Sequence, residues 1–280
     1  LFQKNELGAW PNAKVIVTSR AQYLKGENYY SKFVNSNSGK KPTSFEEIFI
    51  LPFNNDQIIK LIQNHIKLIS ENNELPLAHR RDTNWYIQKL RQFHFFQESF
   101  TDPLILKMLL DTLFVSSDAD LLSKKTKFNI YTDFMKNWFL KQYIRNSSNK
   151  EANEDYIINF LTTYAENFAF KLFLKGEQIA DTEAIDWKPF FVNTDLNKHK
   201  DLVLGYSCSP LRKFKAKKGN GDEYSFLHKS FQEYFAVHKI IKYILEENND
   251  ILLNKKLMVA EHGMISLFVD QLVDSNPTPL

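Results

Sequence analysis

The sequence predicts a mainly helical protein with a small α/β remnant at its N-terminal end and a winged-helix unit further on. Three observations carry this. Two apolar runs, "AKVIVTSR" (13–20) and "FEEIFILPF" (45–53), read as strands, the first being rich in β-branched residues. From Asn54 onward apolar residues recur at helical spacing. The stretch "LRKFKAKKGNGDEYSFLH" (211–228) alternates on each side of Gly219-Asn220-Gly221, the pattern of a β-hairpin.

Taken in order, residues 13–20 read as a buried parallel strand ending in Thr-Ser-Arg, and residues 45–53 as a second strand closed by Pro52. The polar stretch between them reads as a loop. Two strands cannot make a parallel sheet with both faces covered, so this part is expected to be the end of a larger α/β domain. "NNDQIIKLIQNHIKLI" then sets Ile58, Ile59, Ile62, Ile66 and Ile69 on one helical face behind a capping signal at Asn54 or Asn55. Further helices are expected at "WYIQKLRQFHFFQ" and at "DPLILKMLLDTLF", with Pro103 at the first helical position. "IYTDFMKNWFLKQYIRN" and "EDYIINFLTTYAENFAFKLFLKG" follow, each long and rich in aromatic residues on one stripe. The hairpin, the helix after Ser230 and a helical tail complete the chain.

With 280 residues, 43% hydrophobic and 25% charged, the composition is that of a globular protein long enough for two or three small units. A net charge of +3 is too small to imply a nucleic-acid partner. The single cysteine, Cys208, excludes an internal disulfide and fits a reducing compartment. No signal peptide is visible in "LFQKNELGAW", and the apolar runs are far shorter than a membrane span. A soluble, cytoplasmic protein is the expectation.

The chemistry is sparse. No GxxxxGK[ST] occurs, no apolar strand ends in an acidic cluster suited to magnesium, and no Cys/His set has metal spacing. His65, His79, His94, His238 and His262 are scattered and read as ordinary surface or core histidines. Three residues have a sharper alternative. Arg20 closes the first expected strand at its carboxyl end, where open α/β sheets bind ligands; it either neutralises a terminal phosphate or pairs with a carboxylate. Pro103 is locally a helix starter. His228 stands at the joint of a strand and a helix, where it either contacts an anion or caps the helix. The lysines of "LRKFKAKKG" read as guards of a solvated hairpin edge rather than a nucleic-acid wing.

The blocks "WPNAKVIVTSRAQYL", "FEEIFILPFNNDQIIKLI", "DPLILKMLLDTL", "YTDFMKNWFL" and "YSFLHKSFQEYFA", in this order, resemble successive blocks of NACHT-type STAND nucleotide-binding proteins, which include the NOD-like receptors. The resemblance implies that residues 1–51 end a P-loop NTPase core, 52–117 form a first helical domain, 118–246 a winged helix, and 247–280 begin a second helical domain. It implies that Arg20 is the first sensor facing the terminal phosphates, that Pro103 packs on adenine, and that His228 contacts the β-phosphate of ADP and holds the resting state closed. ADP or ATP with Mg²⁺ is implied as the ligand of a full-length parent, and self-association and protein partners as its output. The family's phosphate loop and acidic segment would precede Leu1, and an excised piece of a longer protein is the expectation. Residues 1–280 alone are expected neither to bind nucleotide tightly nor to hydrolyse ATP. The alternative is a helical and winged-helix scaffold that binds proteins without nucleotide. A nucleic-acid-binding winged helix is disfavoured, because "KSFQEYFAVHKIIKYI" is apolar over a broad face.

Overall fold

Asn54 opens the first described helix by a reciprocal cap. Its side chain accepts the Gln57 N–H at 2.9 Å, and its own N–H donates to the Gln57 side chain at 3.0 Å, satisfying donors that a helix start leaves unpaired. Helix α1 then runs Asn55–Glu71 and buries Ile62 and Ile69. The computed structural model describes residues 16–18, 48–71, 81–92, 102–115, 126–146, 153–177, 180–181, 205–214, 223–246 and 262–275. The chain divides into two units, Leu1–Leu51 and Pro52–Leu280.

Similar local chemistry starts the next helices. Asp82 accepts the Trp85 N–H at 2.7 Å and begins α2, Thr83–Leu90. Asp102 accepts the Leu104 N–H at 2.8 Å ahead of α3, Pro103–Val115, so Pro103 occupies the first position, where a missing N–H costs nothing. Helix α4 spans Lys127–Asn146. Helix α5, Glu154–Lys175, starts at an Asn153 cap and stops at Gly176, whose φ of 69° is the left-handed conformation that glycine adopts without strain. A single helical turn at 205–208 precedes the hairpin, and helices α6, Lys229–Leu245, and α7, His262–Ser275, follow it.

Three short strands form one antiparallel sheet in the order β1-β3-β2: β1 is Ala180–Asp181, β2 Leu211–Phe214 and β3 Glu223–Phe226. Strands β2 and β3 pair from Leu211↔Phe226 to Phe214↔Glu223, the hairpin register that the alternation predicts. The two-residue β1 adds to the other side of β3, with Ala180 opposite Tyr224. It is too short to leave a period in the sequence.

Helix α6 packs against α5, α7, α4 and β3, while α4 also packs on α3, and α1 lies against α2 and α3. Aromatic rings fill the space between α4, α5, α6 and the sheet. Tyr131 stacks on Tyr234 at 5.5 Å, Phe139 meets Phe235 at 6.0 Å, and Phe226 lies 5.7 Å from Phe168 and 5.9 Å from Phe235. Each such pair adds about 0.5–1.5 kcal/mol beyond its buried area.

The protein is thus mainly helical with a small antiparallel sheet. The expected parallel sheet is not seen: every strand pairing among the described residues is antiparallel. Residues 16–18 and 48–54 carry no strand, and Ile16 and Ile50 are 90% and 94% exposed. An apolar, β-branched run becomes a strand only where a neighbouring strand takes its backbone bonds and other layers cover its faces. The rest of both runs lies outside the described residues. So do residues 93–97 of the helix expected after Trp85. No described helix is long and apolar enough to cross a membrane.

Candidate functional site

Strand β3 delivers the chain to α6 at His228. The strand is held on both edges, and just beyond it the Leu227 N–H donates to the Pro210 carbonyl at 2.9 Å. His228 is extended, with φ −138° and ψ 143°, and serves as the N-cap of α6. Its Nδ1 accepts the Ser230 N–H at 3.2 Å and lies 2.7 Å from Ser230 Oγ. Because Nδ1 already accepts a backbone N–H, the Ser230 hydroxyl is the donor of the second bond. A neutral ring bound in this way carries its proton on Nε2. The ring stands edge-on to Phe231, 6.2 Å between centroids. The helix start therefore fixes the tautomer and the plane of an exposed imidazole.

Tyr131 of α4 lies behind this joint. Its hydroxyl is hydrogen-bonded to Ser230, and burial pushes its phenol well above the usual range. The Ser230 bond opposes that rise, while the carboxylates of Asp102 and Glu233 add to it. Asp102 is the cap of α3, directly before Pro103, and Glu233 lies in the second turn of α6, paired with Lys229 at 3.1 Å.

Of the three residues singled out in the sequence, Pro103 and His228 are both exposed at these helix ends. Arg20 lies outside the described residues. His228 does act as a cap, one of its two readings. That role does not decide the anion reading.

A second constellation escaped sequence reasoning. Glu166 of α5 is fully buried, and Lys242 of α6 donates to both its oxygens at 2.8 and 3.0 Å. His238, one turn before Lys242, sets Nδ1 against Glu166 Oε1 and stacks its ring on Phe128 at 5.8 Å. Burial by itself would raise the Glu166 pKa; hydrogen bonds and charge from His238 and Lys242 outweigh it and hold the carboxyl below its ordinary value. The signal available in the sequence was an acid inside the apolar run "YAENFAFKLF", with His and Lys four apart on the facing helix. Among the described residues no group of His, Cys, Asp and Glu side chains could hold a metal ion. No protein-family model and no curated protein matches this chain.

Proposed function

We propose that this chain is the regulatory part of a NACHT-type STAND nucleotide switch, gated at the N-terminal end of α6. In this reading residues 1–51 end the nucleotide-binding core, 52–117 are a helical domain, 118–246 the winged helix and 247–280 the start of a second helical domain. The observation that supports it is the cap at His228. The cap holds an exposed imidazole at a helix N-terminus, a place that suits a phosphate oxygen. Pro103, exposed at the first turn of α3, offers a flat apolar surface suited to an adenine. Bound nucleotide would supply the phosphate charge that draws the winged helix onto the core. ADP would hold the closed state, and exchange for ATP would release surfaces for self-association. Arg20 would face the outermost phosphate.

The test is His228→Leu in a longer chain that carries the phosphate loop. A hydrogen bond to a charged group contributes roughly 1.5–3 kcal/mol, so the ADP-closed state should lose on the order of tenfold in population. Size-exclusion chromatography in ADP should show more assembly for the variant. Equal assembly and equal ADP release rates would make His228 a cap and nothing more. One observation favours the nucleotide-free scaffold instead: Ile265, Val269 and Leu272 form an exposed apolar stripe on α7, a surface suited to a protein partner. Nucleotide retained through purification of the longer chain decides between the two.

A further inference from the structure

The starts of α1 to α5 are closed by side-chain oxygens: Asn54, Asp82, Asp102, Thr126 and Asn153 each accept a backbone N–H of their helix. An amide or hydroxyl oxygen accepts at any pH, and a carboxylate down to its own acid range. Helix α6 is closed by a nitrogen instead. His228 Nδ1 accepts the Ser230 N–H at 3.2 Å and the Ser230 hydroxyl at 2.7 Å. A backbone N–H can only donate, so this cap exists only while Nδ1 carries a lone pair. An imidazolium has an N–H at both ring positions and accepts nothing.

We propose that a proton operates the cap of α6: on taking one up, the His228 ring loses both Ser230 bonds and turns away from the helix start. Two Ser230 donors then need new acceptors, and the positive end of the helix repels the charged ring. The neighbouring charges on α6 are Lys229 and Glu233, paired at 3.1 Å. From α4 comes Tyr131, whose phenol stays neutral because burial pushes it far above its usual range. Asp102, at the start of α3, is engaged by the Leu104 N–H. Glu166 of α5 is held by His238 and Lys242 further along α6. Glu223 stands at the opposite end of β3, and Asp270 and Asp274 in the second half of α7. None of these groups can restore a lone pair to Nδ1. The unfolded chain takes the proton more readily than the capped state does. The cap's stabilisation is therefore complete above the histidine range, about pH 6.5, and is lost as pH falls below it. The functional meaning rests on the reading of this end as a phosphate gate. Acid would trade the cap for an imidazolium, which bonds phosphate more strongly than a neutral ring, so ADP would be held more tightly.

The 280-residue chain without nucleotide tests the cap, so the outcome is independent of whether the gate binds phosphate. The comparison is with His228→Asn, whose amide oxygen caps at every pH; the other histidines are common to both and cancel. Between about pH 8 and about pH 5, the Tm of the wild type should fall behind that of the variant by roughly 2–4 °C. Over the same range the exchange protection of the Ser230 amide should drop roughly fivefold in the wild type and hold in the variant. Ring nitrogen shifts at about pH 8 should place the proton on Nε2. A Tm difference that does not change with pH, or a ring protonated on Nδ1 at the alkaline end, overturns the proposal. Should His228→Asn fail to fold, the wild type alone decides: Ser230 protection that holds while the His228 ring titrates overturns it.

Discussion

The two ends of α6 are fastened by opposite means. Toward its C-terminal half, His238 and Lys242 close on a buried carboxylate from α5. At its N-terminal end the fastening is a neutral cap on an exposed histidine, with hydroxyl bonds behind it. A buried charge tolerates no partial opening, because losing its partners leaves it unsolvated. A cap at the surface can exchange its bond for one to water or to a ligand at little cost. The helix therefore has an anchored half and an adjustable end, and the adjustable end carries the proposed gate.

The sharpest way to break this contrast is Glu166→Ala. It strands His238 and Lys242 against an apolar helix face, and removing one partner of a buried ion cluster costs about 3–5 kcal/mol. The lower end is expected, since Lys242 is 38% exposed and can turn to water. Chemical denaturation should show the loss. A value below about 1 kcal/mol would place the anchor elsewhere.

Stronger acid should weaken the anchored half. The folded-state pKa of Glu166 lies below its ordinary value of 4.5, so its contribution is complete above that value and fades as pH falls through the lowered one. The stability gap between wild type and Glu166→Gln should be constant near neutrality and close progressively below about pH 4.5. A gap that widens on acidification would mean the carboxyl is not held charged by its partners.

At the adjustable end the expected effect is the smallest. Tyr131→Phe removes one hydroxyl bond to Ser230 and should cost about 0.5–1.5 kcal/mol, read from the same denaturation curves. A loss as large as that of Glu166→Ala would show that both ends are anchored.

Much of the fold was legible because its signals are local. Asn54 marks a helix start by its own hydrogen-bonding preference, Gly176 ends the run "FKLFLKG" by its φ, and Gly219-Asn220-Gly221 sits between two alternating runs; the caps at Asp82 and Asn153 follow the same chemistry but were not singled out. The first expected strands did not appear among the described residues because strand identity depends on neighbours that a run does not specify. In the candidate site, His228 was visible from the strand-to-helix change beside it. Which of its nitrogens the helix uses was not, because that depends on the rotation of one ring. Glu166 stayed hidden for a different reason: its partners are on another helix, and in the sequence it looks like an interruption of an apolar stripe.

The capped ends of α5 have a consequence for how the protein can change length. Asn153 and Gly176 stop the helix from sliding at either end, and just past Gly176 the Glu177 carbonyl accepts the Gln232 side chain of α6 at 3.1 Å. An inserted residue within α5 would turn everything on one side of it by about 100°. An insertion between Glu166 and Gly176 would thus swing the carboxylate out of line with Lys242 or carry Glu177 away from Gln232. Insertions and deletions within α5 should accordingly cost far more than in the connections between helices, where added chain need not rotate anything.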